Sequence, residues 1–200
     1  MSNVIDTILK RPWREMKDKH FGGANVPLHA SDIYKPSHAQ IAALVKFFRE
    51  QQFGRFAVTM TAQTNLPPGR RPYDIMPGAL RKRWEEIGSR VEPSAKSMAF
   101  IHEASERGDA LVEQYFGPTI AHVDGNRIPV HQGFLPKETG EEALEVADFI
   151  VHTAGGQAKQ WASGDMRIRK DFEAIFHVNP LWSSFSHING VVENAPTPAA

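Results

Sequence analysis

The chain has 200 residues, of which 41% are hydrophobic, enough for one domain with a sizeable core. Its 23 Lys and Arg residues balance 23 Asp and Glu residues, so a globally basic nucleic-acid binder is not indicated. The absence of cysteine excludes disulfides, cysteine-ligated metals and thiol catalysis. Residues 1–21 lack the apolar core of a signal peptide, and no apolar run approaches the about 18 residues of a membrane helix. We therefore expect a soluble, cytoplasmic protein without a membrane partner.

The first third of the chain predicts helices followed by a strand. Apolar residues at helical spacing mark residues 4–9, and Pro12 begins a second helix that runs to about His20. Residues 35–37 open a further helix, and residues 56–61 are a strand rich in β-branched and aromatic side chains. The apolar face of the third helix consists of Ile41, Leu44, Val45 and Phe48.

The remaining chain predicts alternating strands and helices. The strands cover residues 96–103, 120–123 and 128–134, the last two joined by an Asp124-Gly125 hairpin turn. The helices cover about residues 106–115, residues 139–153 with an end at Gly155-Gly156, and residues 171–176. This alternation predicts one α/β domain with a mixed sheet flanked by helices, and with parallel pairing in its middle. We expect residues 1–190 to form the domain and residues 191–200 to be a disordered tail.

Two acids lie beside apolar segments, where ionised carboxylates are costly. Glu103 follows the apolar residues 98–101, and Asp148 lies within residues 144–151. Strand ends gather ligands in α/β folds, and Asp is unfavourable in the middle of a helix. The pair therefore predicts a shared polar site that suits a divalent cation. Alternatively, Glu103 complements a helix N-terminus and Asp148 pairs with His152 or a lysine.

Other residues add little to such a site. Hydrolysis of phosphodiesters with two metal ions usually needs three or four acids, and Asp32, Glu106 and Asp124 are weak additions. None of the nine histidines forms a zinc-protease motif, and His29 and His152 are the better site candidates. His102 is expected on the opposite side of its strand from Glu103. No serine has the context of a nucleophile elbow, so a small-molecule hydrolase ranks last.

A basic cluster is the candidate contact for nucleic-acid phosphates. It consists of Arg70, Arg71, Arg81, Lys82 and Arg83. A solvated surface without a binding role is the alternative interpretation.

Four short segments, in this order, resemble the bacterial family catalogued as domain of unknown function 3800, which looks RNase H-like in fold. They are Leu28-His29-Ala30-Ser31, Phe100-Ile101-His102-Glu103, Phe134-Leu135-Pro136-Lys137 and the eight residues 143–150. The last is the most specific, because it resembles the family's Leu-x-x-Ala-Asp helix. The resemblance covers roughly residues 10 to 160.

The resemblance implies a metal-dependent nuclease. Glu103 and Asp148 would be two acids that bind Mg²⁺ or Mn²⁺, and His29 and Lys137 lie in motifs near the same site. The metal would orient water for attack on a phosphodiester and stabilise charge on the leaving oxygen.

The chain departs from the family pattern in two places. The family's opening strands carry an Asp-Glu-Ser-Gly motif that is absent here, and Pro27 stands where the family often has Glu. Asp6 is only a superficial substitute, because its surroundings predict a helix. Without those strands, the remaining acids are expected to bind metal weakly. The sheet is then expected to expose an edge or apolar face that favours a homodimer or another partner.

The sequence therefore predicts an RNase H-like domain that lacks its N-terminal strands and carries an incomplete, metal-dependent nuclease site. Both a truncated gene product and a degenerate relative without catalysis are compatible with this pattern. The alternative function is a non-catalytic module that binds nucleic acid or another protein.

Overall fold

The computed structural model describes residues 5–66, 68–71, 75–76, 78–80, 98–105, 108–116, 120–123, 126–177 and 183–190. The predicted tail and the predicted Asp124-Gly125 turn lie outside these residues. The fold is mixed α/β, with small sheets that contain parallel pairs and are flanked by helices. None of the described helices combines the length and the apolar character that crossing a membrane requires.

The described elements alternate along most of the chain. The helices are α1 (Arg11–His20), α2 (His38–Glu50), α3 (Asp109–Phe116), α4 (Glu142–Ala162) and α5 (Lys170–Phe172). The strands are β1 (Arg55–Asn65), β2 (Met98–Glu103), β3 (Ile120–Val123), β4 (Asn126–Leu135) and β5 (Ser183–Gly190). Two π-helical turns (Asp6–Lys10 and Glu173–His177) adjoin α1 and α5, and two 3₁₀ turns cover Ala30–Asp32 and Lys137–Thr139.

The strands of the described residues form two small sheets, whereas the sequence predicted one. One sheet is the parallel pair β1–β5, and in the other β2 runs parallel to β4, which pairs antiparallel with β3. The middle of the chain contains a parallel pair, as predicted, but it joins β2 to β4 and not the two strands of a strand–helix–strand unit. The predicted antiparallel pairing of β3 with β4 is confirmed. Strand β5 was not predicted, because its first residues are mostly serine and give a weak strand signal.

Helix α2 begins where the sequence predicted. Ser37 is its N-cap, and its Oγ accepts a hydrogen bond from the Gln40 backbone N–H at 3.2 Å. The Gln40 side chain in turn accepts from the Ser37 N–H at 2.9 Å, which completes a capping box.

Helix α4 is longer than predicted. The predicted end at Gly155-Gly156 is wrong, because the helix continues to Ala162. Gly156 serves packing instead, since a Cβ at this position would lie 3.1 Å from Cζ of Arg169. The chain leaves the helix at Gly164, whose φ of 89° favours glycine.

The hydrophobic core lies where α4 packs against α1, α2 and β1. Trp13 at its centre is fully buried, with ring centroids 4.9 Å from Phe47 and 5.3 Å from Phe149 in edge-on contacts. Other buried members include Leu9, Phe48, Val146, Ile150, Phe172 and Ile175.

The guanidinium of Arg55 lies inside this core. The residue is 2% exposed, and its three nitrogens have no hydrogen-bond partner among the described residues. The guanidinium lies 5.7 Å from the ring centroid of Phe48 and 5.2 Å from that of Phe53. Burial lowers the pKa of Arg55 from its usual value. The ring contacts offset only part of the cost of burying an unpaired charge.

Replacing Arg55 with methionine is expected to raise the free energy of unfolding by about 1–3 kcal/mol. Methionine fills much of the same space and removes five unpaired donors from the core. Urea-induced unfolding, followed by circular dichroism, measures the change. Arg49→Met, at an exposed position of α2, is the matched control and is expected to change stability by less than about 0.5 kcal/mol. A loss of stability in Arg55→Met would show that the ring contacts dominate.

Candidate functional site

Three of the four predicted catalytic side chains line one small cavity. His29 precedes a 3₁₀ turn, Glu103 is the last residue of β2, and Lys137 begins the 3₁₀ turn after β4. Parallel pairing explains their proximity, because it places Glu103 opposite Leu135, two residues before Lys137. The cavity has a volume of ≈ 10 Å³, which is about the minimum that holds one water molecule.

Asp148 adjoins this cavity through the segment that contains His29. Its Oδ2 accepts a hydrogen bond from the Ala30 N–H at 2.9 Å and lies 3.9 Å from Nδ1 of His29. The predicted alternative partner, His152, is not the one the structure provides. The Asp148 side chain is 36% exposed, and Oδ1 accepts no hydrogen bond from the part of the chain that is described. This oxygen is therefore accessible to a ligand.

The most deeply buried acid of α4 is Glu145, which the sequence analysis did not single out. Its side chain is 2% exposed and forms an ion pair with Nζ of Lys17 at 2.8 Å. Its carboxylate also accepts hydrogen bonds from Nε1 of Trp13 at 2.6 Å and from the Leu28 N–H at 3.0 Å. Glu145 lies one turn before Asp148 in the same apolar segment. That spacing was the signal available in the sequence.

Glu145 and Asp148 hold the same extended segment against α4. The two acids are one helical turn apart, and they accept the N–H groups of Leu28 and Ala30, which are two residues apart. Alternate residues of an extended chain direct their N–H groups to the same side, so one helix face can bind both. The segment thereby places His29 between the small cavity and Asp148. Hydrogen bonds therefore join the Leu-His segment to the Leu-x-x-Ala-Asp segment.

His29 carries an unusual ring nitrogen. Its Nδ1 is buried and has no hydrogen-bond partner among the residues that the structure describes. Buried polar atoms normally have a partner, and an unsatisfied one is available to a water, a proton or a ligand.

The donor set suits a hard divalent cation only in part. Glu103 and Asp148 offer carboxylate oxygens, which Mg²⁺ prefers. Glu145 is already committed to four hydrogen bonds from three partners. Within the described ranges, no group of three or more His, Asp or Glu side chains is arranged to hold a metal ion. A cation bound here would need water or substrate phosphate as its remaining ligands.

The structure does not bring the other described candidates, Asp32 and His102, into the cavity lining. Asp32 is exposed and accepts a hydrogen bond from Oγ of Ser31 at 3.3 Å, whereas Glu106 and Asp124 lie outside the described residues. His102 packs as predicted on the other side of β2, with Nε2 2.8 Å from Oε1 of Gln132. Its ring also stacks on Phe134, with the centroids 5.3 Å apart.

The basic cluster is described only in part. Arg70 and Arg71 are exposed, in a loop after β1. Arg81, Lys82 and Arg83 lie outside the described residues. Phosphate binding by this cluster stays a prediction.

In comparisons with known proteins, no protein-family model, no curated protein and no solved structure matches this chain. The resemblance to the family of unknown function 3800 therefore stays a prediction from its four segments.

Proposed function

We propose that this protein is an RNase H-like, metal-dependent phosphodiester hydrolase with an incomplete metal site. The observation that supports this function is the convergence of four side chains from separate segments. His29, Glu103 and Lys137 line one cavity, and Asp148 adjoins it through its contacts with the His29–Ala30 segment. A carboxylate at a strand end, beside a helix that carries a second one, is an arrangement suited to cations and phosphates.

Each residue has a role that follows from its chemistry. Glu103 and Oδ1 of Asp148 would hold Mg²⁺ or Mn²⁺, while Oδ2 of Asp148 stays on the Ala30 N–H. A bound divalent cation activates water and stabilises charge on the leaving oxygen. Lys137 provides a positive charge for a phosphate oxygen. His29 accepts or donates a proton at Nδ1, which has no other partner among the described residues.

Asp148→Asn tests this site, because it removes the charge and keeps an acceptor for the Ala30 N–H. We expect Mn²⁺-dependent cleavage of labelled RNA, DNA and RNA–DNA hybrid to fall at least roughly 100-fold. The matched control is Asp18→Asn, at an exposed position of α1, which is expected to leave cleavage unchanged. Circular dichroism spectra show whether both variants keep the fold. Equal cleavage by the two variants would contradict the metal role of Asp148.

Metal binding is measured separately from cleavage. Mn²⁺ is expected to broaden the NMR signals of residues 28–30 in the unaltered protein and not in Asp148→Asn. Broadening without cleavage would identify a relative that has kept the metal site and lost catalysis. The absence of both would contradict the proposed function.

The alternative function is a non-catalytic module that binds nucleic acid or another protein. The exposure of Arg70 and Arg71 favours it. In the same assays, such a module would shift nucleic acid in a gel without cleaving it, and the shift would weaken steeply with salt. Asp148→Asn would leave the shift unchanged. A homodimer or a protein partner that covers the sheet would appear in sedimentation instead.

A further inference from the structure

A second and larger cavity lies between α2, α4 and α5. Its volume is ≈ 630 Å³, whereas voids in protein cores rarely exceed the size of a water molecule. Pockets that bind small molecules measure about 300–1,000 Å³. The cavity therefore has the size of a ligand site and is too large for a packing defect. Among the described residues, none lines both this cavity and the small cavity beside Glu103.

The walls of this cavity are aliphatic and aromatic. The face of α2 that the sequence predicted as apolar turns toward it, and Phe149 and Ile175 line other sides. Ile41 on that face remains 44% exposed. An apolar helix face without a cover forgoes hydrophobic stabilisation, which a bound apolar group would restore. The contribution of α2 consists of Ile41, Leu44, Val45 and Phe48.

The rim of the cavity carries an excess of positive charge. Arg169 donates from Nε and Nη2 to the carboxylate of Asp171, at 2.9 and 2.6 Å, so these two charges neutralise each other. Lys170, between them in sequence, is exposed and forms no ion pair with any described residue. An anionic group at the rim would be complementary.

The rim is held in place by α4. The fully buried side chain of Gln157 donates from Nε2 to the Arg167 carbonyl at 2.9 Å and accepts from the Arg169 N–H at 2.8 Å. Gly156 leaves the space that the Arg169 guanidinium occupies. The segment that carries Arg169 and Lys170 is therefore positioned before any ligand binds, which lowers the entropic cost of binding.

We propose that this cavity binds an amphipathic anion, whose aliphatic body packs against α2 and α4 and whose head group contacts Lys170. The size, the apolar walls and the net positive rim each fit this class of ligand. Long-chain carboxylates and phosphate monoesters share the required chemistry, an apolar chain with one anionic end. The proposal does not depend on the proposed hydrolase function, because the two cavities are separate.

Sodium dodecanoate and dodecyl phosphate are the anionic probes, and dodecanol and dodecyltrimethylammonium carry the same chain on neutral and cationic head groups. Methyl NMR spectra of protein labelled at isoleucine provide the site-specific measurement. We expect the anions to shift the methyl signals of Ile33, Ile41 and Ile175, and to leave Ile101 on β2 unchanged. Of the two anions, we expect the one with the higher affinity to bind roughly tenfold more tightly than dodecanol. The anion with the higher affinity then shows whether a carboxylate or a phosphate is the preferred head group.

Two variants separate the head group from the chain. Lys170→Glu is expected to weaken binding of the anions roughly tenfold and to leave dodecanol unchanged, while Lys159→Glu, elsewhere on α4, changes neither. Ala174→Phe fills the cavity and is expected to abolish binding of every probe.

Unchanged methyl spectra at probe concentrations on the order of 1 mM would overturn the proposal. Equal affinity for all head groups, or no effect of Lys170→Glu, would overturn the assignment of an anion. Formation of a dimer that shifts the same methyl signals would also overturn the proposal, because the cavity would then be an interface between two copies.

Discussion

Replacing Glu145 with alanine is expected to lower the free energy of unfolding by about 3–5 kcal/mol. Stability is lost because the partners of Glu145 would stay buried without their acceptor. Lys17 is 2% exposed and would keep a buried charge without its counter-ion. The N–H groups of Trp13 and Leu28 would lose their acceptor as well. Urea-induced unfolding, monitored by circular dichroism, measures the loss.

Two further variants show whether the loss comes from the buried charge. Glu142→Ala, one turn earlier on α4, removes a more accessible ion pair with Arg14 (Nε to Oε1, 3.0 Å) and should cost less than about 1 kcal/mol. The double variant Lys17→Met/Glu145→Leu removes both charges and is expected to recover most of the stability. If Glu145→Ala lowers the free energy of unfolding by less than about 1 kcal/mol, the Lys17 ammonium reaches water when the Glu145 carboxylate is absent.

The same ion pair connects stability to the candidate site. Glu145 holds the Leu28 N–H, and Asp148 holds the Ala30 N–H, so His29 lies between two anchored positions. Loss of the first anchor would leave this segment attached to α4 through the contacts of His29 and Ala30 with Asp148. Glu145 is therefore a positioning residue for the proposed site, in addition to its contribution to the core.

Local signals predicted most of the elements. The cap at Ser37, the apolar spacing in α1 and α2 and the β-branched residues of β1 act within a few residues, and the structure has all of these elements. The order of strands and helices also predicted parallel pairing in the middle of the chain, and the structure forms it between β2 and β4, which places Glu103 near Lys137. His29 and Lys137 follow from the family resemblance and not from these local signals, and the role of all four predicted site residues stays a prediction.

Long-range contacts explain what the sequence could not reveal. Glu145 and Lys17 are 128 residues apart, so nothing local marks them as a pair. Gly155 and Gly156 are common helix ends, yet α4 continues through them, and the guanidinium of Arg169 packs close to where a Cβ of Gly156 would lie. Of the predicted apolar face of α2, the structure buries Phe48 and leaves Ile41 44% exposed. Whether a neighbour would cover this face depends on tertiary packing, and the structure leaves it beside an open cavity.

Replacing Trp13 with alanine is expected to lower the free energy of unfolding by about 3–5 kcal/mol. The fully buried indole contacts Phe47 and Phe149, and its removal would leave a cavity at the centre of the core. Urea-induced unfolding measures this loss as well. The variant also removes the Nε1 donor to Glu145, so alanine alone does not separate packing from hydrogen bonding.

Phenylalanine separates these two contributions. Trp13→Phe keeps an aromatic ring in the core and loses the 2.6 Å hydrogen bond to a charged acceptor, which should cost about 1.5–3 kcal/mol. Trp161 is the matched control, because its Nε1 is buried without a hydrogen-bond partner among the described residues while its ring packs on Phe172 and Phe185. Trp161→Phe therefore loses ring area but no hydrogen bond. If both variants lose the same stability, the Trp13–Glu145 hydrogen bond contributes nothing beyond packing, and the burial of Glu145 depends on Lys17 and the Leu28 N–H alone.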